Sequence, residues 1–96
     1  MNIAIIGYGK MGHEIEKIAK IKGINIVSII DPNDNNATHN DINESSMRNV
    51  DVCIDFTNSN AVINNIQKIS QFKKKIVVGT TGWYDKLEEV KNIVNQ

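Results

Sequence analysis

The feature that most constrains this chain is the join near its start. A short apolar run, Asn2 to Ile6, ends on Gly7-Tyr8-Gly9-Lys10-Met11-Gly12, and an amphipathic stretch begins inside those glycines. An apolar run closed by a glycine turn suits a strand buried on both faces. Beyond it, Met11, Ile15, Ile18, Ala19 and Ile21 recur at three and four residues, with Glu14, Glu16, Lys17 and Lys20 between them. That spacing predicts a helix over 11–22 with those apolar residues facing inward, and Gly23 supplies its C-terminal stop. A second strand follows over 24–30 and is closed by Asp31-Pro32.

The rest of the chain continues the alternation. Residues 32–49 are polar, rich in the asparagine and aspartate that favour turns, and carry no hydrophobic period. They read as a loop, pinned to the body by Ile42 and Met47. A third strand is expected over 51–56. Thr57-Asn58-Ser59 can cap the next helix, which places Val62, Ile63, Ile66 and Ile69 on one face. A fourth strand over 75–78 follows the basic turn Lys73-Lys74-Lys75. Then come Gly79-Thr80-Thr81-Gly82 and a last helix over 84–95, with Leu87, Val90 and Val94 inward. Strands separated by helices need crossovers and a parallel sheet. The expectation is one α/β domain over 1–96: a Rossmann-like, doubly wound parallel sheet of about four strands in the order 2-1-3-4. Its crevice would lie between strands 1 and 3, and a helix would be missing between strands 2 and 3.

Three groups of residues suggest chemistry. GxGxxG alone is a weak signal, but here it directly follows a buried strand and opens a helix. Gly7 permits the tight turn, Gly9 leaves room for a pyrophosphate against bare backbone, and Gly12 lets helix and strand approach. The helix N-terminus offers N–H groups and partial positive charge to phosphate. Asp31, about twenty positions past the glycines, can accept hydrogen bonds from the ribose hydroxyls of a dinucleotide. Gly79, Thr80 and Thr81, with Asp55-Phe56-Thr57, end strands 4 and 3 on the same side. The alternative for each is structural: a ligand-free glycine turn, an aspartate opening a turn, a loop or a cap. Read as a site, Asp31 favours NADH modestly over NADPH, because Pro32 follows it and Lys10 is the only cation nearby.

Composition narrows the classes. Eleven acidic and eleven basic residues cancel, which argues against nucleic acid or an anionic membrane as partner. Cys53 is the single cysteine and lies in an apolar run, so it reads as a core residue without a disulfide. His13 and His39 are isolated, and no metal site is expected. The start lacks the basic opening and long apolar stretch of a secretory signal, and no run approaches the ~20 residues of a membrane span. The cytoplasm is the default location.

Taken together, IAIIGYGKMG, DVCIDFTNSNAV and VVGTTGWYDKLEEV resemble the N-terminal domain of dihydrodipicolinate reductase, also called 4-hydroxy-tetrahydrodipicolinate reductase. The resemblance covers nearly the whole chain except 33–49. It implies an NAD(P)H-dependent oxidoreductase of lysine and diaminopimelate synthesis. Residues 7–12, namely Gly7, Tyr8, Gly9, Lys10, Met11 and Gly12, would hold the pyrophosphate, Asp31 the adenosine ribose, and Gly79, Thr80 and Thr81, with Thr57 nearby, the nicotinamide side. It also implies use of both cofactors and a homo-oligomer, a tetramer in the family. Two departures stand out: the glycine loop has a shorter form than is common there, and Ser59 and Asn60 occupy places where many members carry Pro and Glu. The family's histidine-rich motif with its lysine, and its carboxylate-gripping motif, are absent. No catalytic residue is therefore expected within 1–96, and the dicarboxylate substrate would need a further domain. The alternatives are the cofactor half of another two-domain dehydrogenase, of aspartate or homoserine type, and a non-enzymatic dinucleotide sensor.

Overall fold

A computed structural model describes residues 1–57 and 59–79. Asn58 of the expected cap, together with Thr80, Thr81, Gly82 and the last helix, lies outside the described residues, and Ser59 is described only in its backbone. Within them the order is β1 (Asn2–Ile6), α1 (Lys10–Ile21), β2 (Asn25–Ile30), α2 (Glu44–Met47), β3 (Val52–Asp55), α3 (Ser59–Gln71) and β4 (Lys75–Val78). The strands form one sheet in the order β2-β1-β3-β4, and every pairing is parallel. Strand order and direction are those expected from the alternation of elements.

β1, β2 and β3 each feed two layers, because successive side chains point to opposite faces. Ile3 and Ile5 pack with Ala19 of α1, and Ile15, Val52 and Ile54 join them. Ala4, Ile6, Ile30 and Cys53 point the other way and pack with Ile42, Met47, Val50 and Ile69. Beside them Val62, Ile63 and Ile66 of α3 cover Ile76 and Val78 of β4. Cys53 is buried, as its apolar neighbours implied, and burial pushes its thiol up to about 11.

Two expectations need correction. The inward face of α1 is narrower than its apolar residues suggested. Gly12 and Ala19 are its buried positions, whereas Met11, Ile18 and Ile21 are 53%, 45% and 79% exposed. The helix lies so close to β1 that small residues fill the contact, and the larger apolar ones flank it. Residues 32–49 are also not all loop, because α2 lies within them. Asn43 caps that helix: its Oδ1 accepts from Ser46 N at 2.9 Å, and Ser46 Oγ accepts from Asn43 N at 2.9 Å. This reciprocal capping box satisfies two donors that a helix start leaves open. A helix of four residues is too short to show a period. The anchoring role of Ile42 and Met47 is as expected, both being buried in the main core. Ser28 Oγ donates to the Ser46 carbonyl, tying α2 to β2.

The first part of the same segment borders β2. Thr38 N and His39 N both donate to the Ile29 carbonyl, and Asp31 N donates to the His39 carbonyl at 3.0 Å. His39 thereby forms a parallel bridge with Ile30. These bonds occupy polar groups at the end of β2 that would otherwise be open to another strand.

Candidate functional site

At the carboxyl ends of β1, β2 and β3 the structure leaves a crevice of about 850 Å³, within the range of small-molecule sites. Its floor is made by the strand ends, Ile6-Gly7, Ile30-Asp31 and Phe56-Thr57. One wall is Asn40, Asp41 and Ile42, and the other is the polar side of α3, with Asn64, Asn65 and Lys68. The crevice spans β1 and β3, where the chain's direction of travel across the sheet reverses. Parallel sheets bind ligands at such a point.

The three glycines serve three different needs. Gly7 has φ +92°, in the left-handed region, and a Cβ there would lie 3.1 Å from Thr57 N. Its N–H donates to the Ile30 carbonyl at 2.8 Å, which joins the turn to β2. Gly12 is required by packing, since a Cβ would overlap the Gly7 carbonyl oxygen. Gly9 is different. Its φ is −83°, accessible to any residue, and a Cβ built on it meets nothing within 4 Å. Nothing in the fold requires a glycine at that position. It is the N-cap of α1, with no side chain capping the first turn, and it lines the crevice. Open backbone beside uncapped helix amides is what an approaching phosphate requires.

Asp31 serves the loop as well as the crevice. Oδ2 accepts from Tyr8 N at 2.9 Å, and Oδ1 accepts from Asn33 N at 2.8 Å. The first bond clamps the glycine loop to the end of β2, and the second makes the turn that the alternative reading expected. A carboxylate has about four acceptor positions, so these two bonds leave roughly half unused, on a residue that lines the crevice. The Tyr8 side chain points elsewhere. Its hydroxyl donates to Glu16 Oε1 at 2.5 Å, and its ring stacks on His13 with centroids 3.8 Å apart. The Glu16 hydrogen bond, then burial, then the charges of Glu16 and Asp34, push the phenol up to about 12.

Asp55 is fully buried and organises the end of β3. Oδ1 accepts from Thr57 N at 2.8 Å and from Thr57 Oγ1, while Oδ2 accepts from Asn65 Nδ2 at 3.0 Å. Asn65 Nδ2 also donates to Thr57 Oγ1 at 3.2 Å. The Thr57 hydroxyl is thus turned into this cluster and fixes the rim of the crevice. Gly79 N donates to the Asp55 carbonyl at 2.9 Å, and a Cβ on Gly79 would strike the Phe56 ring.

Of the residues that the sequence singled out, Gly7, Gly9, Asp31 and Thr57 come together in the lining of the crevice. Tyr8, Gly12 and Gly79 support it from behind or beside, whereas Met11 is exposed and does not line it. Lys10 is exposed on the first turn of α1 and is not part of the wall. The cation on that wall, among the described residues, is Lys68, which sequence reasoning missed. Its Nζ lies 2.9 Å from Asp41 Oδ1. That hydrogen bond, with a further one from Ile42 N and the charge of Lys68, lowers the Asp41 pKa against the opposing effect of burial. The available signal was the spacing of Asn64, Asn65 and Lys68 on α3, a polar stripe opposite the apolar face. Among the described residues no group of three or more His, Cys, Asp or Glu side chains is arranged to hold a metal. No helix among them is long and apolar enough to cross a membrane.

Residues 1–96 match the family model described as dihydrodipicolinate reductase, N-terminus. The 4-hydroxy-tetrahydrodipicolinate reductase of Christiangramia forsetii is 38% identical over 93 residues, covering 97% of this chain and 36% of that protein. The protein of the same name from Staphylococcus haemolyticus is 35% identical over 95 residues, covering 96% and 39%. That from Bifidobacterium longum subsp. infantis is 30% identical over 97 residues, covering 98% and 36%. The chain therefore spans little more than a third of the length of these relatives.

Proposed function

The chain belongs to the dihydrodipicolinate reductase N-terminal family, and from that membership we propose that it is the NAD(P)H-binding part of a 4-hydroxy-tetrahydrodipicolinate reductase of lysine and diaminopimelate synthesis. The observation that carries the proposal furthest is Gly9. It is a glycine without a backbone or packing reason, at an uncapped helix start, on the wall of a nucleotide-sized crevice. In this reading the bound nicotinamide supplies the hydride, and the protein supplies its orientation.

The work of each residue follows from its place. The loop of Gly7, Tyr8, Gly9, Lys10, Met11 and Gly12 holds the pyrophosphate: the Gly7 and Tyr8 amides fix the loop to Ile30 and Asp31, and the open backbone at Gly9 with the amides of the first α1 turn meets the phosphates. Asp31 accepts from the adenosine ribose with the acceptor positions that Tyr8 N and Asn33 N leave open. Thr57 holds the rim through Asp55, and Gly79, Thr80 and Thr81 form the nicotinamide side. Proton donation and capture of the dicarboxylate substrate fall to residues outside 1–96. Residues 1–96 alone then bind cofactor without turning substrate over. The whole enzyme is read as a cytoplasmic homo-oligomer, with neither nucleic acid nor membrane as partner.

Asp31 favours unphosphorylated ribose, because its charge repels a 2′-phosphate and Pro32 and Asn33 supply no compensating cation. We expect NADH to bind about tenfold more tightly than NADPH, a difference of about 1.4 kcal/mol. Fluorescence titration of both cofactors against wild type and Asp31→Ser, at one moderate salt concentration, tests the reading. The preference should narrow or reverse in the variant. A wild-type chain that binds neither cofactor would remove the dinucleotide reading. Tighter NADPH binding that Asp31→Ser leaves unaltered would remove the role of Asp31.

A further inference from the structure

The cation on the crevice wall comes from α3, and it is already held by an acid on the opposite wall. Lys68 Nζ and Asp41 Oδ1 lie 2.9 Å apart, joining α3 to residues 40–42 across the crevice. Their side chains are 37% and 57% exposed, so water and salt screen the pair and little stability is lost on breaking it. Where β2 ends, Asp31, Pro32 and Asn33 offer a phosphate no positive charge. A dianionic group entering the crevice would meet the carboxylates of Asp31 and Asp41. Lys68 is the described wall residue able to offset them. Its four-carbon stem is flexible, and a phosphate carries more charge and more acceptor oxygens than the carboxylate that now holds it.

We propose that Lys68 sets how far the crevice accepts the 2′-phosphate of NADPH, with Asp41 as its competitor. Paired with Asp41, Lys68 is neutralised and the wall suits an unphosphorylated ribose. Released from Asp41, it meets the phosphate. Lys68 and Asp41 together thus tune a cofactor preference that Asp31 alone would make steeper. This rests on the dinucleotide reading above, and its test separates the two.

NADH and NADPH are titrated against the 96-residue chain and its Lys68→Met, Asp41→Asn and doubly substituted forms, with 2′,5′-ADP and 5′-ADP as fragments. Circular dichroism checks each fold. The quantity read is the ratio of the NADPH to the NADH dissociation constant. Lys68→Met should raise that ratio about tenfold, the usual effect of losing a hydrogen bond to a charged group. Asp41→Asn should lower it several-fold, and only while Lys68 is present, because two residues acting through one pair are not additive. The fragments should follow the same ratio, and added salt should reduce every difference. An equal loss of both cofactors in Lys68→Met would mean that Lys68 serves the pyrophosphate, and would overturn the proposal. So would an Asp41→Asn effect that persists without Lys68, since that is only the general field of the acid. A chain that binds NADH well while neither substitution moves the ratio rejects this inference and leaves the dinucleotide reading intact. Failure to bind either cofactor rejects both.

Discussion

Substituting Gly9 and Gly12 in parallel separates a glycine kept for a ligand from one kept for the fold. At Gly12, alanine places a Cβ against the Gly7 carbonyl oxygen and 3.5 Å from Ile5 Cγ2. The oxygen belongs to the backbone of a turn fixed by its bond to Ile30, so it cannot swing aside as a side chain would. Overpacking of this kind costs up to about 3 kcal/mol. The better helix propensity of alanine returns about 1 kcal/mol, which leaves a net loss of about 2 kcal/mol. At Gly9 the contributions are smaller and opposed. Alanine is a poorer N-cap than glycine by roughly 1 kcal/mol, while the restricted unfolded chain offsets about 0.4–1 kcal/mol. The added Cβ itself meets nothing. Gly9→Ala should therefore leave stability nearly unchanged.

Binding should show the opposite ranking. Gly9→Val directs a branched side chain into the space that a pyrophosphate must share with the backbone. NADH binding should be abolished, with far-UV circular dichroism unchanged and the urea midpoint close to wild type. Gly12→Ala should shift the urea midpoint clearly, whatever binding remains. Urea denaturation of the three variants, alongside NADH fluorescence titration, measures both axes. Equal NADH affinity in Gly9→Val would refute the reasoning, because open space around Gly9 would then be unused space. Wild-type stability in Gly12→Ala would show that α1 can move off β1 freely.

Two further outcomes follow from single contacts. Tyr8 has its pKa raised to about 12 in the folded chain by Glu16, whereas an unfolded tyrosine ionises near 10. The folded state therefore keeps this proton longer, so the contribution is complete below about pH 10 and is lost as pH rises through about 12. The alkaline fall in stability, followed by urea denaturation at stepped pH, should be shallower in Tyr8→Phe than in wild type, and identical slopes would exclude the Glu16 bond. Met47 is 1% exposed where α2 meets the main core, so Met47→Ala should lose about 2–5 kcal/mol. A loss below about 1 kcal/mol, by the same denaturation, would mean that residues 32–49 do not contribute to the core.

What the sequence made legible depends on the length scale of each signal. β4 could be bounded from its apolar run, and strand order followed from the alternation of strand and helix, because both rest on local pattern plus general rules for crossovers. The face of α1 was misjudged because hydrophobicity marks large residues, while the contact with β1 selects small ones: Gly12 and Ala19 go in and Ile21 stays out. α2 was invisible for a different reason. Its four residues span little more than one turn, and its capping box uses Asn43 with Ser46 in place of the more recognisable acidic partner. The crevice divides in the same way. Its floor comes from strand ends and a glycine loop that carry their own chemistry. Its walls, Asn40 to Ile42 and the polar stripe of α3, are distant in sequence and become neighbours only once β2, β1 and β3 lie side by side.

Asp31 shows why two readings of one residue need not compete. As a turn former it was expected to bond its own backbone, and Oδ1 does so through Asn33 N. As a ribose ligand it was expected to face the crevice, and it lines that crevice. The bond that neither reading anticipated is the one from Tyr8 N to Oδ2. That bond ties the acid to the loop proposed to hold the pyrophosphate, so the two proposed contact points are fixed to each other before any ligand arrives. Ordering them in advance removes a cost that binding would otherwise carry. The same bond makes the carboxylate worth keeping even if ribose never touches it. Loss of Asp31 therefore acts twice: it removes open acceptors in the crevice, and it frees the Tyr8 amide that holds the glycine turn against β2.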